Sequence, residues 1–356
     1  MATIQDVAQL AGVSKATVSH VINDTRPVTP ATRQAVLDAI AQLNYRPSAI
    51  ARSLNTNVTH TIGILIADIT NPYFSGLIRG VERQLSLQGY NLIVCNTDED
   101  PAREARYLDL LLARRVDGLI IAPSGVAQPL FQQFSAYNTP LVFVDRHLDK
   151  AYGPVIEIDN FAAGYEATKH LIQWGHHRVA ILSRSPTLST AERRISGYRQ
   201  ALQDYGLDVD ETLIQITGIT LDAAVADALR LLDRPERPTA VVTTNHIMTL
   251  ALLRALRERD LTCPADISLV GFDDHPWTSL FTPPLTMIRM SISDLSNATV
   301  ETLLRAIECR SQGQNRDKRS ERMPDVLLPA ELVVRASCAP PAPQAGSASR
   351  RASLSM

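Results

Sequence analysis

Residues 3–23 read TIQDVAQLAGVSKATVSHVIN, and this stretch predicts two short helices joined by a tight turn. Thr3 and Asp6 form a capping pair ahead of an apolar pattern that ends at a glycine. Ser14 is a favourable N-cap for a second helix over residues 15–23. Two helices on so short a connection are typical of a helix-turn-helix.

A third helix is predicted after this pair, with Thr29 as its N-cap and Pro30 at its first position. Its apolar stripe can close a small core against the inner face of the second helix. That stripe consists of Ala35, Val36, Ala39, Ile40 and Leu43.

The outer face of the second helix carries short polar or cationic side chains by helical spacing. These residues are Lys15, Ala16, Thr17, Ser19 and His20. Such groups can reach base edges in a major groove, although an ordinary solvated helix face has a similar composition. Residues 1–60 carry five basic and three acidic side chains, whereas the whole chain has a formal net charge of -2. A small basic module therefore precedes a mildly acidic body.

From Thr61 onward, short apolar runs such as TIGILIA alternate with amphipathic segments, which predicts βαβ units and a mostly parallel sheet. The pattern restarts after Ile158, so we expect two similar α/β halves that face each other across a cleft. The predicted helices cover residues 74–88, 102–115, 129–137, 161–174, 191–204, 221–232 and 246–259.

Polar side chains beyond the predicted strand ends are candidates for contact with a small molecule, because ligands bind at the carboxyl ends of parallel strands. The candidates are Asp68, Asn71, Tyr73, Phe74, Asp145 and Arg146 in the first half, and Thr190, Arg194, Asn245, Asp273, Asp274 and Trp277 in the second. Carboxylates, amides and guanidinium groups can bind neighbouring hydroxyls, and an aromatic ring can cover an apolar sugar face. The set suits a carbohydrate or similar polyol, although each residue singly could instead cap a helix, form an ion pair or hold a turn.

The motif at residues 3–23, together with residues 29–45 and the segment RPSAIARSL at 46–54, resembles the LacI/GalR family of transcriptional regulators. The sequence of this motif is most similar to the purine repressor branch, and the resemblance continues to about residue 335. The resemblance implies a homodimeric, cytoplasmic regulator that binds double-stranded operator DNA. It also implies that Lys15, Ala16, Thr17 and His20 lie on the recognition helix, with Asn23, Arg26 and Tyr45 near the DNA backbone.

The segment RPSAIARSLNTN at residues 46–57 is too short to form a stable helix alone in water, because helix nucleation is unfavourable. The family resemblance implies a hinge helix that pairs with its dimer mate and inserts Leu54 between base pairs in the minor groove. Arg52 and Asn55 can then hold phosphates or groove edges. The alternative is that Leu54 is an ordinary linker residue.

The same resemblance matches Tyr73, Thr190, Arg194 and Asp273 to effector-contacting positions of the family. Leu188 and Ile219 replace an Arg and a Phe of purine-binding relatives. His246 follows Asn245 where many sugar-responsive members have Asp. We therefore expect a sugar or sugar derivative as effector, with a nucleobase as the alternative.

The predicted fold class is α/β, with a small all-α headpiece and a body of two subdomains resembling type 1 periplasmic binding proteins. The expected domains are the headpiece at 1–46, the hinge at 47–60, the body at 61–338 and a disordered tail at 339–356. Within the body, we expect the chain to cross between subdomains near residues 159, 290 and 322. The N-subdomain would then hold residues 61–159 and 290–321, and the C-subdomain residues 160–289 and 322–338.

Two other classes of protein are less compatible with the sequence. A transport or sensory sugar-binding protein would fit the body, but it would not need the helix-turn-helix or lack a signal peptide. An enzyme is disfavoured because no nucleophile elbow, P-loop, dinucleotide fingerprint or zinc-protease motif is found. We expect no cofactor and no metal, since the four cysteines are scattered and form no C-x-x-C pair. No apolar run is long enough for a membrane span, so no membrane partner is expected.

Overall fold

The computed structural model describes residues 2–46, 58–124, 128–148, 152–218, 220–312 and 323–342. The chain divides into two compact units, residues 1–60 and residues 61–356. Residues 47–57 of the predicted hinge, including Arg52, Leu54 and Asn55, lie outside the described residues.

Three helices form the first unit, namely α1 (Ile4–Leu10), α2 (Lys15–Asn23) and α3 (Pro30–Gln42). Thr3 Oγ1 accepts a hydrogen bond from Asp6 N at 3.3 Å, and Asp6 Oδ2 accepts one from Thr3 N at 2.8 Å. Ser14 and Thr29 accept hydrogen bonds from backbone N–H groups of α2 and α3, so all three predicted helix starts are confirmed. The core of this unit consists of Val7, Ala8, Val18, Val21, Val36 and Ala39.

Two six-stranded sheets form the framework of the second unit. The first sheet contains β1 (Thr61–Ile66), β2 (Asn91–Asn96), β3 (Gly118–Ile121), β4 (Leu141–Val144), β5 (Val155–Ile158) and β11 (Val326–Leu328). The second contains β6 (Val179–Ser183), β7 (Ile214–Ile216), β8 (Ala240–Thr243), β9 (Ser268–Phe272), β10 (Thr286–Met290) and β12 (Ala330–Val333). Their strand orders are β11-β5-β4-β3-β1-β2 and β12-β10-β9-β8-β6-β7.

Almost all neighbouring strands run parallel, as the βαβ pattern predicted; the antiparallel pair is β10 with β12. Apolar side chains cover both faces of the first sheet. Ile64 belongs to one core cluster and Leu65 to another, because successive side chains of a strand point to opposite faces. This burial on both faces explains why the strands are continuous apolar runs.

Helices of the second unit lie between the strands in sequence. They are α4 (Pro72–Leu87), α5 (Pro101–Ala113), α6 (Gln128–Ala136), α7 (Asn160–Gln173), α8 (Ser189–Asp204), α9 (Leu221–Leu232), α10 (His246–Glu258) and α11 (Ile292–Ser311). Short 3-10 helices cover Glu211–Leu213 and Pro276–Leu280. The predicted helices α4 to α10 are present, with bounds close to those expected. None of the described helices is both long and apolar enough to cross a membrane.

The chain crosses between the two sheets after β5, after β10 and after β11. The first two crossings follow Ile158 and Met290. The third was expected near residue 322, but β11 pairs with β5 in the first sheet and β12 with β10 in the second. The crossing therefore lies at Pro329, which separates the two strands, and residues 323–328 belong to the first half.

The end of the body lies later than the expected boundary at residue 338. Ala339 N donates to Ser268 Oγ at 3.0 Å, and Ala339 O lies 2.9 Å from His176 Nε2. These contacts hold the chain against β9, so the prediction of a disordered tail from residue 339 was wrong for its first residues. Residues 343–356 lie outside the described part of the chain.

Candidate functional site

The predicted DNA-contacting residues of the headpiece lie on α2 and after it. Lys15, Ala16, Asn23 and Arg26 are exposed, and the side chain of Tyr45 packs partly against the headpiece core. Ser14 caps the start of α2, and burial of Val18 and Val21 in the headpiece core leaves Lys15 and Ala16 on its outer face.

Two polar side chains of this surface are oriented by local hydrogen bonds. His20 Nδ1 lies 2.8 Å from Thr25 Oγ1, and Asn23 Nδ2 donates to Ser19 O at 3.0 Å. Each bond restricts the rotamers of its side chain, which reduces the entropy lost when the surface contacts a ligand.

A cavity of about 280 Å³ lies between the two sheets of the body, at the carboxyl ends of their strands. Most of the residues predicted from the strand ends line it, together with Asp98, Glu99, Arg184 and Leu188, which were not in the predicted set. The predicted residues found there are Asp68, Asn71, Tyr73, Phe74, Asp145, Arg146, Thr190, Arg194, Asn245 and Asp273.

Tyr73 and Asp145 form a buried pair on the side of the first sheet. The Tyr73 hydroxyl donates to Asp145 Oδ1 at 2.8 Å, and Asn71 caps the helix that carries the tyrosine. Burial and the neighbouring Asp145 carboxylate raise the pKa of Tyr73 well above its ordinary value. Burial also raises the pKa of Asp145, against the lowering effect of Arg146. The phenol thus stays a donor, while the other carboxylate oxygen, Oδ2, lies 3.5 Å from Arg146 Nε and has further lone-pair capacity for a ligand hydroxyl.

Arg194 supplies the central cation of the cavity from the second half. Its Nε donates to Asn160 Oδ1 at 2.7 Å, Nη1 donates to Thr244 O, and the guanidinium lies 4.3 Å from the ring centroid of Phe272. Burial lowers its pKa, partly offset by Asp273. These contacts hold the planar group in one orientation, as recognition of adjacent hydroxyls requires.

Asp273 follows β9 with a positive φ of 70° and accepts a hydrogen bond from His246 N at 3.0 Å. Although burial alone would raise its pKa, the hydrogen bond from His246 and the charge of Arg194 lower it. Asp273 is therefore more acidic than Asp145, because burial dominates at Asp145. Asn245 lies beside it and caps α10 by accepting from Met248 N at 2.9 Å.

An ion-pair chain joins the two halves at the edge of the cavity. Arg146 Nη2 lies 2.8 Å from Glu99 Oε1, and Arg184 Nη2 of the second half lies 3.5 Å from Glu99 Oε2. Glu99 and Arg184 follow β2 and β6, so extending the strand-end rule to those two strands would have found them. Their side chains are largely buried, so solvent and salt screen these pairs less than they screen surface ion pairs.

Two candidates from the sequence are placed away from the cavity. Trp277 does not line it; its ring packs 5.6 Å from His275 and 5.6 Å from Phe281 by centroid distance. Asp274 turns the other way and accepts from Arg289 and Arg335 at 2.7–2.9 Å, so it has a structural role. Asp273 and Asp274 therefore diverge although they are adjacent in the chain, and the left-handed backbone of Asp273 (φ 70°) marks where the chain turns between them.

A capped helix-turn-helix unit followed by two mostly parallel sheets around a polar cavity defines a class of protein, namely a DNA-binding regulator with a ligand-binding body. Comparison with known families gives two matches. Residues 3–48 match "Bacterial regulatory proteins, lacI family", and residues 59–335 match "Periplasmic binding proteins and sugar binding domain of LacI family". The chain belongs to the LacI family, and it is a DNA-binding transcriptional regulator.

The chain is similar to individual members of known families over nearly their whole length. The chain is 38% identical over 334 residues to the HTH-type transcriptional repressor PurR of Haemophilus influenzae strain PittEE, covering 92% of this chain and 98% of the relative. It is 41% identical over 309 residues to the ribose operon repressor of Escherichia coli K12, covering 86% and 93%. Its structure is similar to the Lac repressor dimer bound to operator and the anti-inducer ONPF, at 27% identity and a TM-score of 0.79, covering 95% and 99%.

Proposed function

We propose that this protein is a dimeric repressor whose affinity for a pseudopalindromic operator is set by a monosaccharide-like polyol bound between the two sheets. The observation that carries the proposal is the convergence of Tyr73, Asp145, Arg194 and Asp273, from both halves, on one small cavity. A buried carboxylate and a fixed guanidinium together present acceptors and donors for adjacent hydroxyl groups.

The charge of the cavity favours an uncharged ligand over an anionic one. Five carboxylates line it, from Asp68, Asp98, Glu99, Asp145 and Asp273, against the guanidinium groups of Arg146, Arg184 and Arg194. Two of those guanidinium groups already pair with Glu99. A phosphate or carboxylate ligand would add negative charge to an acidic site, so a neutral polyol is the better fit.

The size of the cavity suits a single small ring, and its lining favours a sugar over a purine. Its volume of about 280 Å³ is at the lower end for small-molecule sites. Tyr73 and Phe74 contact each other edge to face at 5.2 Å, and both are buried. Leu188 lines the cavity where purine-binding members of the family have a cation, which removes a hydrogen-bond donor for a base edge. The 41% identity to the ribose operon repressor described above supports the same class of ligand.

The ligand can control DNA binding through the angle between the two halves. It contacts residues of both, and the Glu99–Arg184 pair spans the same gap. The body can adopt two conformations that differ in this angle. A ligand that binds one conformation more tightly shifts the equilibrium toward that conformation, by an amount set by the difference in affinity. The angle then sets the separation of the two hinge segments in the dimer, and so whether they can pair on the operator. We propose that the protein acts in the cytoplasm, beside the DNA it controls, and that it binds the sugar without converting it.

A ligand screen by thermal shift tests the class of effector. We expect a neutral pentose or hexose to raise the melting temperature, because binding to the native state stabilises it. Guanine and hypoxanthine should leave the temperature unchanged. The variant Asp273→Asn should lose the sugar response, whereas Asp222→Asn, at an exposed carboxylate of α9, should keep it. A shift with nucleobases alone would show that the effector is a base.

Replacing Leu54 by alanine tests the proposed hinge. We expect Leu54→Ala to weaken specific operator binding by at least about a hundredfold, since the wedge would no longer hold the bent duplex. Fluorescence anisotropy with an operator selected from a pseudopalindromic library measures this loss. Leu37→Ala, at a 46% exposed leucine of α3, is the matched control and should bind as the unmodified protein does. Operator affinity of Leu54→Ala close to that control would contradict a wedge role.

A further inference from the structure

Two histidines and an aspartate cluster at the second-half edge of the cavity. His246 is the first residue of α10, and Asp273 and His275 follow β9. One potential ligand atom from each of the three side chains lies within 4.8 Å of the other two. His246 and Asp273 also line the cavity itself.

The backbone holds these three residues together before any ligand binds. Asp273 has a positive φ, and His275 N donates to Asp273 O at 2.8 Å, which closes a tight turn. Asp273 Oδ2 in turn accepts from His246 N at 3.0 Å, so the carboxylate is fixed against the start of α10. The turn and this hydrogen bond thus hold the backbones of His246 and His275 in place, and so the positions from which their side chains extend.

Two nitrogen atoms of the cluster have no hydrogen-bond partner. His246 Nδ1 and His275 Nε2 are both buried, and each stands among the few unpartnered polar side-chain atoms in the described part of the chain. His246 Nδ1 lies 3.5 Å from Asp273 Oδ2, beyond a good hydrogen bond. Buried polar atoms almost always have partners, so two nitrogens without a protein partner beside one carboxylate are available to an external ligand.

We propose that His246, Asp273 and His275 bind a divalent transition-metal ion of the zinc class, with the remaining coordination position facing the effector cavity. Imidazole nitrogens select zinc and its neighbours over magnesium and calcium, which prefer oxygen ligands. Three protein ligands with an open position is the arrangement of zinc sites that also bind a small molecule. A hydroxyl of the bound effector can fill that position.

Small side-chain movements complete the site. Ligand atoms around a tetrahedral zinc ion lie roughly 3.4 Å apart, given bond lengths of about 2.0–2.1 Å. The imidazole rings now lie 5.5 Å apart by centroid distance with planes at 73°. Closing the gap from at most 4.8 Å to about 3.4 Å requires rotation of the histidine side chains about χ1 and χ2.

The test is a titration of the full-length, tag-free dimer with zinc chloride alone, without any sugar, by isothermal titration calorimetry after treatment with a chelator. We expect a tight site with one zinc per protomer. His275→Gln should weaken it by at least about tenfold, because one of three ligands is lost. His170→Gln, at a histidine of α7 that accepts from Trp174 Nε1, is the control and should retain the site.

Cobalt substitution provides a second measurement on the unmodified protein. We expect visible absorption of four-coordinate Co²⁺ without thiolate charge-transfer bands, since the proposed ligands are nitrogen and oxygen. Operator binding by His275→Gln shows that the variant is folded. Zinc affinity equal in His275→Gln and His170→Gln, or a thiolate band in the cobalt spectrum, would overturn the proposal. Because no sugar is present, this result is separate from the success or failure of the sugar screen.

Discussion

Replacing Arg194 by methionine is expected to abolish the response to the effector and to lower the stability of the body by about 3 kcal/mol or more. The guanidinium is buried among Asp145, Asp273 and Tyr73, and it donates to Asn160 and Thr244. Its removal leaves a buried carboxamide oxygen without a donor and two carboxylates without their shared cation. Methionine fills a similar volume, so the loss is electrostatic and not a cavity effect.

Urea unfolding and ligand-induced thermal shift measure the two consequences separately. Arg194→Lys keeps the charge but loses the planar fork, so we expect a smaller loss of stability with the effector response still absent. The matched control is Arg199→Met on the same helix, because Arg199 makes an ion pair with Glu211 near the surface. That pair contributes about 0–1 kcal/mol. Equal stability of Arg194→Met and Arg199→Met would mean that Arg194 does not hold the cavity together.

Replacing Gly197 by alanine is expected to destabilise the body by roughly 3 kcal/mol, at the upper end for overpacked cores. Helices α7 and α8 cross in close contact at two glycines. A β-carbon at Gly197 would lie 2.1 Å from Phe161 O, and one at Gly164 would lie 2.3 Å from Arg194 O. Neither obstacle is a flexible side chain, so the helices would have to separate and α8 would carry Arg194 out of position.

A matched glycine in α4 distinguishes this clash from a general effect of the substitution. A β-carbon at Gly76 would lie 3.4 Å from Ile292 Cγ2, which is ordinary contact. Alanine within a helix is favoured over glycine by up to about 1 kcal/mol, so Gly76→Ala should leave stability unchanged or raise it. Chemical denaturation of both variants gives the comparison. If Gly197→Ala unfolded at the same urea concentration as Gly76→Ala, the close crossing of α7 and α8 would be refuted.

Local signals explain why much of the architecture could be predicted from the sequence. Helix starts depend on capping side chains within three residues, as at Thr3, Ser14 and Thr29, and these agree with the structure. The βαβ rhythm depends on runs of apolar residues that are buried on both faces of a parallel sheet. The rule that ligands bind at the carboxyl ends of parallel strands predicted ten residues that line one cavity. Parallel strands of a sheet end at a common edge, so residues that follow them lie close together.

Long-range pairing explains the errors. The segments at 326–328 and 330–333 differ in the sheet they join, but each is a short apolar strand when considered alone. Each segment pairs with the sheet edge that is open to it in the folded chain, residues 326–328 with β5 and residues 330–333 with β10. The contact of Ala339 with His176 and Ser268 likewise joins residues far apart in the chain, and nothing in a Pro- and Ala-rich composition predicts it.

The sequence by itself determined the two-part plan of this protein, a helix-turn-helix unit and a two-sheet body, because caps, apolar periodicity and strand ends act over a few residues. Tertiary structure alone decided which side chains share the cavity. In the folded chain, Trp277 and Asp274 lie away from the cavity, whereas Glu99 and Arg184 line it. His275 lies beside His246. The direction of a side chain at a loop depends on backbone turns and on partners from distant elements, and neither is encoded in the residue type or its spacing.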